Sequence, residues 1–452
     1  MNIRTRRDFL RASVKSAAAL GAMSSFGRIN AFASSSAAYQ ALVCIYLAGG
    51  NDGHNTVVPL TAATYNQYKA ARQGLAIPSS SLLPIANGAT PYGLHPSLPD
   101  IQALYNQGHA AVLTNVGNLV RPLQPGEYAH AASTAVPMAL FSHSDQTTQW
   151  QSASPTETLA NGWGGRIMDT LNTNSGAVFP AITSTGGCGL FCTGANNFPA
   201  TVPPPWSSGG APTGIVGLNT AQAGTAAAGG VQQLLSFDNG LQLVQAGNTI
   251  LSRGNQYATT LNGLLKTNQI QTSFPANNPL AAQLLTVANV MAVRSQLGIS
   301  RQIFFCQLGG FDTHGDQAAT QQQLLGLLSQ AVGAFYKATQ ELGLDQSVTT
   351  FTASEFGRSL QPSGSDGSDH GWGNHHFVIG GGVQGGKFYG SFPSLALGGS
   401  DDATGRGVLI PSTGLAPYGA TLAQWFGVSS SSMASVFPNI ASFTQPNLGF
   451  LG

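Results

Sequence analysis

The residues best suited to chemistry in this chain are its histidines, and they are clustered. Of nine, one lies in Phe311-Asp312-Thr313-His314-Gly315-Asp316 and three lie in Ser368-Asp369-His370-Gly371-Trp372-Gly373-Asn374-His375-His376. Asp, Glu, Lys and Arg make up only 8% of the residues, so two dense groupings of carboxylate and imidazole are not the by-product of a polar surface. Such groupings bind divalent metals. They predict a metal-dependent hydrolytic site.

Alternate residues of an extended loop point the same way, so Asp312, His314 and Asp316 could face one ion. Asp316 either joins them or caps the helix that begins at Gln317. In the second cluster, Asp369 is a ligand or orients the His370 ring. His375 and His376 enter a predicted strand, where neighbours face opposite sides, so one of the two points into the site. A third segment, Phe141-Ser142-His143-Ser144-Asp145-Gln146, combines hydroxyls, an imidazole and a carboxylate. Ser142 or Ser144 is a nucleophile if a base or metal activates it; otherwise Ser144 or Asp145 starts a helix toward Trp150. His54 is a ligand or a loop hydrogen-bonding group. Arg358, and Arg166 within Gly162-Trp163-Gly164-Gly165-Arg166, could meet an anionic substrate.

The elements that must position these groups follow from apolar runs bounded by glycine. Leu42–Leu47 breaks at Gly49-Gly50 and delivers Asp52; Ile303–Leu308 breaks at Gly309-Gly310 and delivers Asp312. Ser347–Thr352 leads to Glu355, His376–Ile379 leads into Gly380-Gly381-Gly382, and Ala110–Asn115 is a fifth run. Continuous apolar runs suit strands buried on both faces. Helical spacing over Ala281–Leu297 and Gln317–Leu342 alternates with them. The order predicts an α/β fold with a mostly parallel central sheet flanked by helices, in which ligands bind beyond the carboxyl ends of the strands. Asp52, Asp312 and Glu355 would all emerge there. Residues 186–278, rich in Gly, Pro, Ser and Thr and then helical from Val231 to Leu265, read as an insertion packed on the core, either a lid or an ordinary helical layer.

Thr5-Arg6-Arg7-Asp8-Phe9-Leu10-Arg11, a short apolar stretch and Ala31-Phe32-Ala33 predict a twin-arginine signal peptide over residues 1–33. The expected location is periplasmic or extracellular, with the twin-arginine translocase as the export partner. The stretch is too short and too broken to span a membrane. Residues 1–33 carry six basic groups against one acid; the whole chain is +1, which leaves about −4 for residues 34–452. That balance has no footprint for nucleic acid or an anionic membrane. A hydrophobic content of 42% indicates a globular domain over 34–452. Cys188 and Cys192 are expected to pair locally in an exported protein; Cys44 and Cys306 fall in apolar runs and are expected to be buried thiols.

Together, the twin-arginine start, Gly49-Gly50-Asn51-Asp52-Gly53, Ser142-His143, Gly309-Gly310-Phe311-Asp312-Thr313-His314, Ser354-Glu355-Phe356-Gly357-Arg358 and Asp369-His370-Gly371-Trp372-Gly373 resemble the family called domain of unknown function 1501. That family is similar to the alkaline phosphatase superfamily of phosphatases, sulfatases and cofactor-independent phosphoglycerate mutases. The resemblance implies an alkaline-phosphatase-like fold and two divalent metals (zinc, manganese, magnesium or calcium) that clamp an in-line displacement. It also implies a hydroxyl or modified cysteine nucleophile. The superfamily usually has Asp-His-Gly or Asp-Asn-Gly where this chain has Glu355-Phe356-Gly357; Asp369-His370-Gly371 would supply the missing imidazole. The cysteine- or serine-containing signature of sulfatases is absent.

The expected metal set is therefore Asp52, Asp312, His314, Glu355, Asp369, His370 and His376. Ser142 is the nucleophile or a ligand, and Arg358 stabilises the anion. The expected substrate is a small-molecule or sugar-linked phosphate or sulfate ester. The alternative is a non-catalytic exported surface or binding protein with at most a structural metal.

Overall fold

The computed structural model describes residues 38–124, 126–171, 174, 176–187, 189–204, 241–265 and 270–452. The signal predicted over residues 1–33, the Cys188 half of the expected bridge, and residues 205–240 and 266–269 of the expected insertion lie outside them.

The strands needed here are β1 (Gln40–Ala48), β2 (Ala110–Gly117), β3 (Ile182–Ser184), β4 (Ala200–Thr201), β5 (Arg301–Gly309), β6 (Val348–Ala353), β7 (Arg358–Pro362), β8 (Ser368–His370), β9 (Asn374–Ile379), β10 (Phe388–Tyr389) and β11 (Thr413–Gly414), and the five apolar runs fall in β1, β2, β5, β6 and β9. Nine of them form one sheet in the order β10-β2-β9-β6-β1-β5-β3-β4, with β11 also on β2. Pairing is parallel from β6 through β1, β5 and β3 to β4. The exception is β9, antiparallel to both β2 and β6. The fold is thus α/β with a mostly parallel central sheet. The hydrophobic runs have the physical cause inferred from sequence: every residue from Ala41 to Leu47 is buried, as are all eight of β2. Helices cover both faces of such a sheet, so neither face alternates with polar residues.

The helices needed below are α1 (Gly53–Thr56), α2 (Ala62–Arg72), α3 (His143–Ser152), α4 (Gln242–Leu265), α5 (Pro279–Ala292), α6 (Gln317–Glu341) and α7 (Leu415–Phe426). α4 lies inside the helical pattern of the expected insertion. α5 and α6 reproduce the two predicted spacings, and Asn278 caps α5 by accepting from the Leu280 and Ala281 amides. One large core joins β1, β2, β5, β6 and α7; Trp163 sits in it 5.6 Å from Phe351 and 4.7 Å from Phe191 between ring centres. Cys44 and Cys306 are buried, as expected. Among the described residues no helix is long and apolar enough to cross a membrane.

Register brings the strand ends together. Ala48 of β1 lies opposite Gly309 of β5, and Tyr46 of β1 lies opposite Ala353 of β6. Three adjacent parallel strands therefore end at one level and release Gly49–Asp52, Gly310–Asp312 and Ser354–Glu355 on the same edge. The first two turns interlock, Phe311 N donating to Ala48 O at 3.1 Å. Gly49 has φ of 119°, and a side chain there would run into the backbone of Phe311 and Asp312. Glycine at this position is a requirement of the close approach.

Candidate metal centre

Four segments meet at this edge. Asp312 and His314 come from the turn after β5. Arg358 and His370 are paired residues of the antiparallel β7–β8 ribbon. His143 is the first residue of α3, whose N-cap is Ser142. Glu355 follows β6.

His143, Asp312 and His370 each offer one ligand atom, all within 4.8 Å of one another. His143 Nε2 lies 3.4 Å and His370 Nε2 3.5 Å from Asp312 Oδ1. His314 Nε2 adds a fourth atom, 3.1 Å from Asp312 Oδ1 and 2.9 Å from His370 Nε2. A tetrahedral ion with bonds of about 2.0–2.1 Å separates its ligand atoms by about 3.3 Å. The observed spacings straddle that value.

The rings are held so that the right nitrogen faces inward. His143 Nδ1 is 2.9 Å from Glu355 Oε1, a carboxylate that also accepts from Gly49 N at 2.8 Å. His370 Nδ1 is 2.6 Å from the carbonyl of Phe141. Both partners are acceptors, so the proton belongs on Nδ1 and the Nε2 lone pair is left toward Asp312. His143 Nε2 is buried without a hydrogen-bond partner. A buried nitrogen in that state costs free energy, which a bound cation would offset. Three imidazoles and one carboxylate suit zinc better than magnesium or calcium, which prefer all-oxygen sets.

Charge supports the same arrangement. Burial disfavours ionised Asp312, yet the hydrogen bond and charge of Arg358, with His143 and His314 beside it, outweigh that and hold its carboxyl below the usual range. The Arg358 Nη2–Asp312 Oδ1 contact is 2.7 Å. The hydrogen bond to Glu355 raises the pKa of His143 against the effect of burial. Burial lowers that of His370, favouring its neutral, metal-binding form.

The expected set is thus brought together in part. Asp312, His314 and His370 converge. Glu355 sits behind His143, orienting its ring. Asp369 likewise stands behind, its Oδ1 3.6 Å from His314 Nδ1 and its Oδ2 2.6 Å from Arg406. Asp52 is not part of the cluster: it is buried, caps α1 and pairs with Arg72. Neither adjacent histidine turns into the centre. His375 Nδ1 accepts from Asn115 N at 3.0 Å and its ring stacks on Phe392, while His376 lies in the core against Tyr418. The strand β9 is central, so both of its faces are interior. His54 is also elsewhere, its Nε2 3.0 Å from Arg358 O. Asp316 stands at the N-cap of α6 without a side-chain capping bond.

Ser142, rather than Ser144 or Asp145, starts the helix of its segment. It caps α3 through Asp145 N, and its hydroxyl donates to Asp145 Oδ2 at 2.5 Å. Arg358 is wholly buried and therefore braces Asp312 rather than reaching outward. His143 is absent from the expected metal set. Its neighbours Ser142 and Ser144 drew the chemical reading, although Ser142-His143 stands among the motifs that carry the family resemblance.

The chain belongs to the family described as "Protein of unknown function (DUF1501)", whose pattern matches residues 39–406. Among curated proteins, none matches the sequence significantly. Similar solved structures include the lipoteichoic acid synthase LtaP from Listeria monocytogenes, at 7% identity and a TM-score of 0.36 over 87% of this chain and 73% of that one. The PsFucS1 sulfatase from Pseudoalteromonas sp. follows at 9% identity and 0.31 over 83% and 70%. The phosphonate monoester hydrolase of Agrobacterium radiobacter stands at 11% and 0.28 over 82% and 74%. Likenesses at this level carry no argument about activity.

Proposed function

We propose that the protein is an exported metal-dependent hydrolase of phosphate or sulfate esters. The observation that carries this reading is the convergence of His143, His370 and Asp312, with both rings hydrogen-bonded from behind so that their free nitrogens face one point. A divalent ion held there would polarise an ester oxygen and lower the pKa of an attacking hydroxyl or water. Arg358 holds Asp312 ionised, Glu355 and the Phe141 carbonyl fix the imidazole tautomers, and Asp369 steadies His314. Ser142 supplies the hydroxyl and Asp145 accepts its proton, the direction in which that hydrogen bond already runs. Export rests on the twin-arginine segment, and the ester class on the family resemblance.

A second reading has an observation in its favour. With His314, four protein donors surround the point, and a closed tetrahedral set is typical of a structural ion, whereas a catalytic ion keeps one position open. That reading makes the protein a non-catalytic surface or binding protein.

Turnover separates the two. Zinc- or manganese-loaded protein, offered nitrophenyl phosphate, bis-nitrophenyl phosphate and nitrophenyl sulfate, is expected to hydrolyse at least one. Asp312→Ala should abolish that activity, and Ser142→Ala should lower it about 100-fold or more. If Ser142 only caps α3, its replacement costs about 1 kcal/mol of stability and leaves the rate unchanged. Metal-loaded wild type without turnover on any of the three would favour the structural reading.

A further inference from the structure

We infer that the centre takes one divalent ion, not two, because Asp52, at the same strand edge, is buried with donors on both carboxylate oxygens, Arg72 among them, whereas Asp312 is half exposed. The inference rests on the metal centre proposed above and concerns how many ions it holds.

Asp52 leaves the end of β1 as Asp312 leaves the end of β5, and its carboxylate is buried. Its Oδ1 accepts from the amides of His54 at 3.0 Å and Asn55 at 3.4 Å. Its Oδ2 accepts from Arg72 Nη2 and Gln317 Nε2. A carboxylate has about four lone-pair positions, and these four donors take them.

Each donor is fixed in turn. Arg72 is wholly buried, with Nε on Asn55 Oδ1 at 3.1 Å and Nη1 on the carbonyls of Ser359 and Leu360 at 3.1 and 3.0 Å. Asn55 Oδ1 also accepts from Tyr68 Oη at 2.9 Å. Gln317 cannot turn its oxygen toward Asp52 without losing the Ser368 hydroxyl, which donates to Gln317 Oε1 at 2.5 Å. An ion entering here would meet N–H groups where it needs lone pairs, and a guanidinium where it needs negative charge.

The nearby imidazoles do not make up for it, although His54 keeps a buried Nδ1 without a partner. His54 Nε2 bonds Arg358 O, and His376 packs against Tyr418 with its Nδ1 3.4 Å from Thr352 Oγ1. Glu355 Oε1 is taken by Gly49 N and His143. His143, His370 and Asp312, by contrast, each offer a ligand atom to one point.

Counting ions tests this. Metal-free full-length protein is saturated with Zn2+, and separately with Mn2+, freed of unbound ion, and its metal content measured by plasma mass spectrometry. One ion per chain is expected for the wild type and for Asp52→Asn, and none for Asp312→Ala. Two per chain in the wild type, falling to one in Asp52→Asn, would overturn the inference. The wild-type count decides even if Asp52→Asn does not fold. No ion in the wild type would instead sink the metal centre itself.

Discussion

Arg72→Met is expected to lower the free energy of unfolding by about 3–5 kcal/mol, the usual consequence of stripping one partner from a buried ion pair. The side chains of Arg72 and Asp52 are 0% and 1% exposed. Removing the guanidinium leaves the Asp52 charge facing only Gln317 and two backbone amides. It also strips hydrogen bonds from the carbonyls of Ser359 and Leu360. Much of the loss is the cost of an uncompensated charge, so Arg72→Met combined with Asp52→Leu should recover a large part of it. Urea unfolding followed by circular dichroism measures both: the midpoint falls while the slope stays constant. A loss below about 1 kcal/mol would mean that the pair behaves as a solvated one.

Acid should unfold the protein well before its carboxylates are protonated. Burial lowers the pKa of His54 and His95 to about 4, that of His376 to about 3, and that of His375 well below the usual value. For His54 the charges of Asp52 and Arg72 act in opposite directions and leave burial dominant. In the unfolded chain each imidazole titrates near 6.5. Between about pH 4 and 6.5 the unfolded state therefore binds more protons than the native one, and stability rises with pH. The contribution of neutral burial is complete above about pH 6.5 and declines as pH falls, by about 1.4 kcal/mol per unit for each histidine. Four such groups together approach the whole stability of an ordinary domain, about 5–15 kcal/mol, within two units. Urea midpoints at pH 7.5, 6.5, 5.5 and 5.0 should be level over the first step and then fall steeply. A flat profile down to pH 5 would mean that these imidazoles are solvated.

The same histidines explain how far the sequence could be read. The strands were legible because the apolar runs are buried on both faces; four of the five lie within strands of the sheet, and the fifth, Ser347–Thr352, does so from Val348. The shared carboxyl edge of β1, β5 and β6 was legible too, since βα order fixes it. The antiparallel direction of β9 was not, because direction depends on how the Gly357–Gly373 segment folds back and leaves no periodic trace. That segment also decides the fate of His375 and His376. Two polar residues at the mouth of a strand look like a site when one face is assumed to be open, but β9 lies between β2 and β6 and both faces are interior.

Asp52 was misleading for a different reason. Its position after β1 mirrors that of Asp312 after β5, yet its partner Arg72 lies 20 residues on, in a helix that carries no motif. Spacing reveals which carboxylates reach an edge; it does not reveal which have already found a cation. His143 shows the converse. It enters the centre because α3 starts there, with Ser142 as its cap and Glu355 fixing its ring, a contact between residues 212 positions apart.

The most direct test is a crystal structure of the zinc-loaded protein with anomalous data collected at the zinc edge. A single anomalous peak per chain is expected, about 2.0–2.2 Å from His143 Nε2, His370 Nε2 and Asp312 Oδ1. An empty cluster, or a peak beside Asp52 instead, would contradict it.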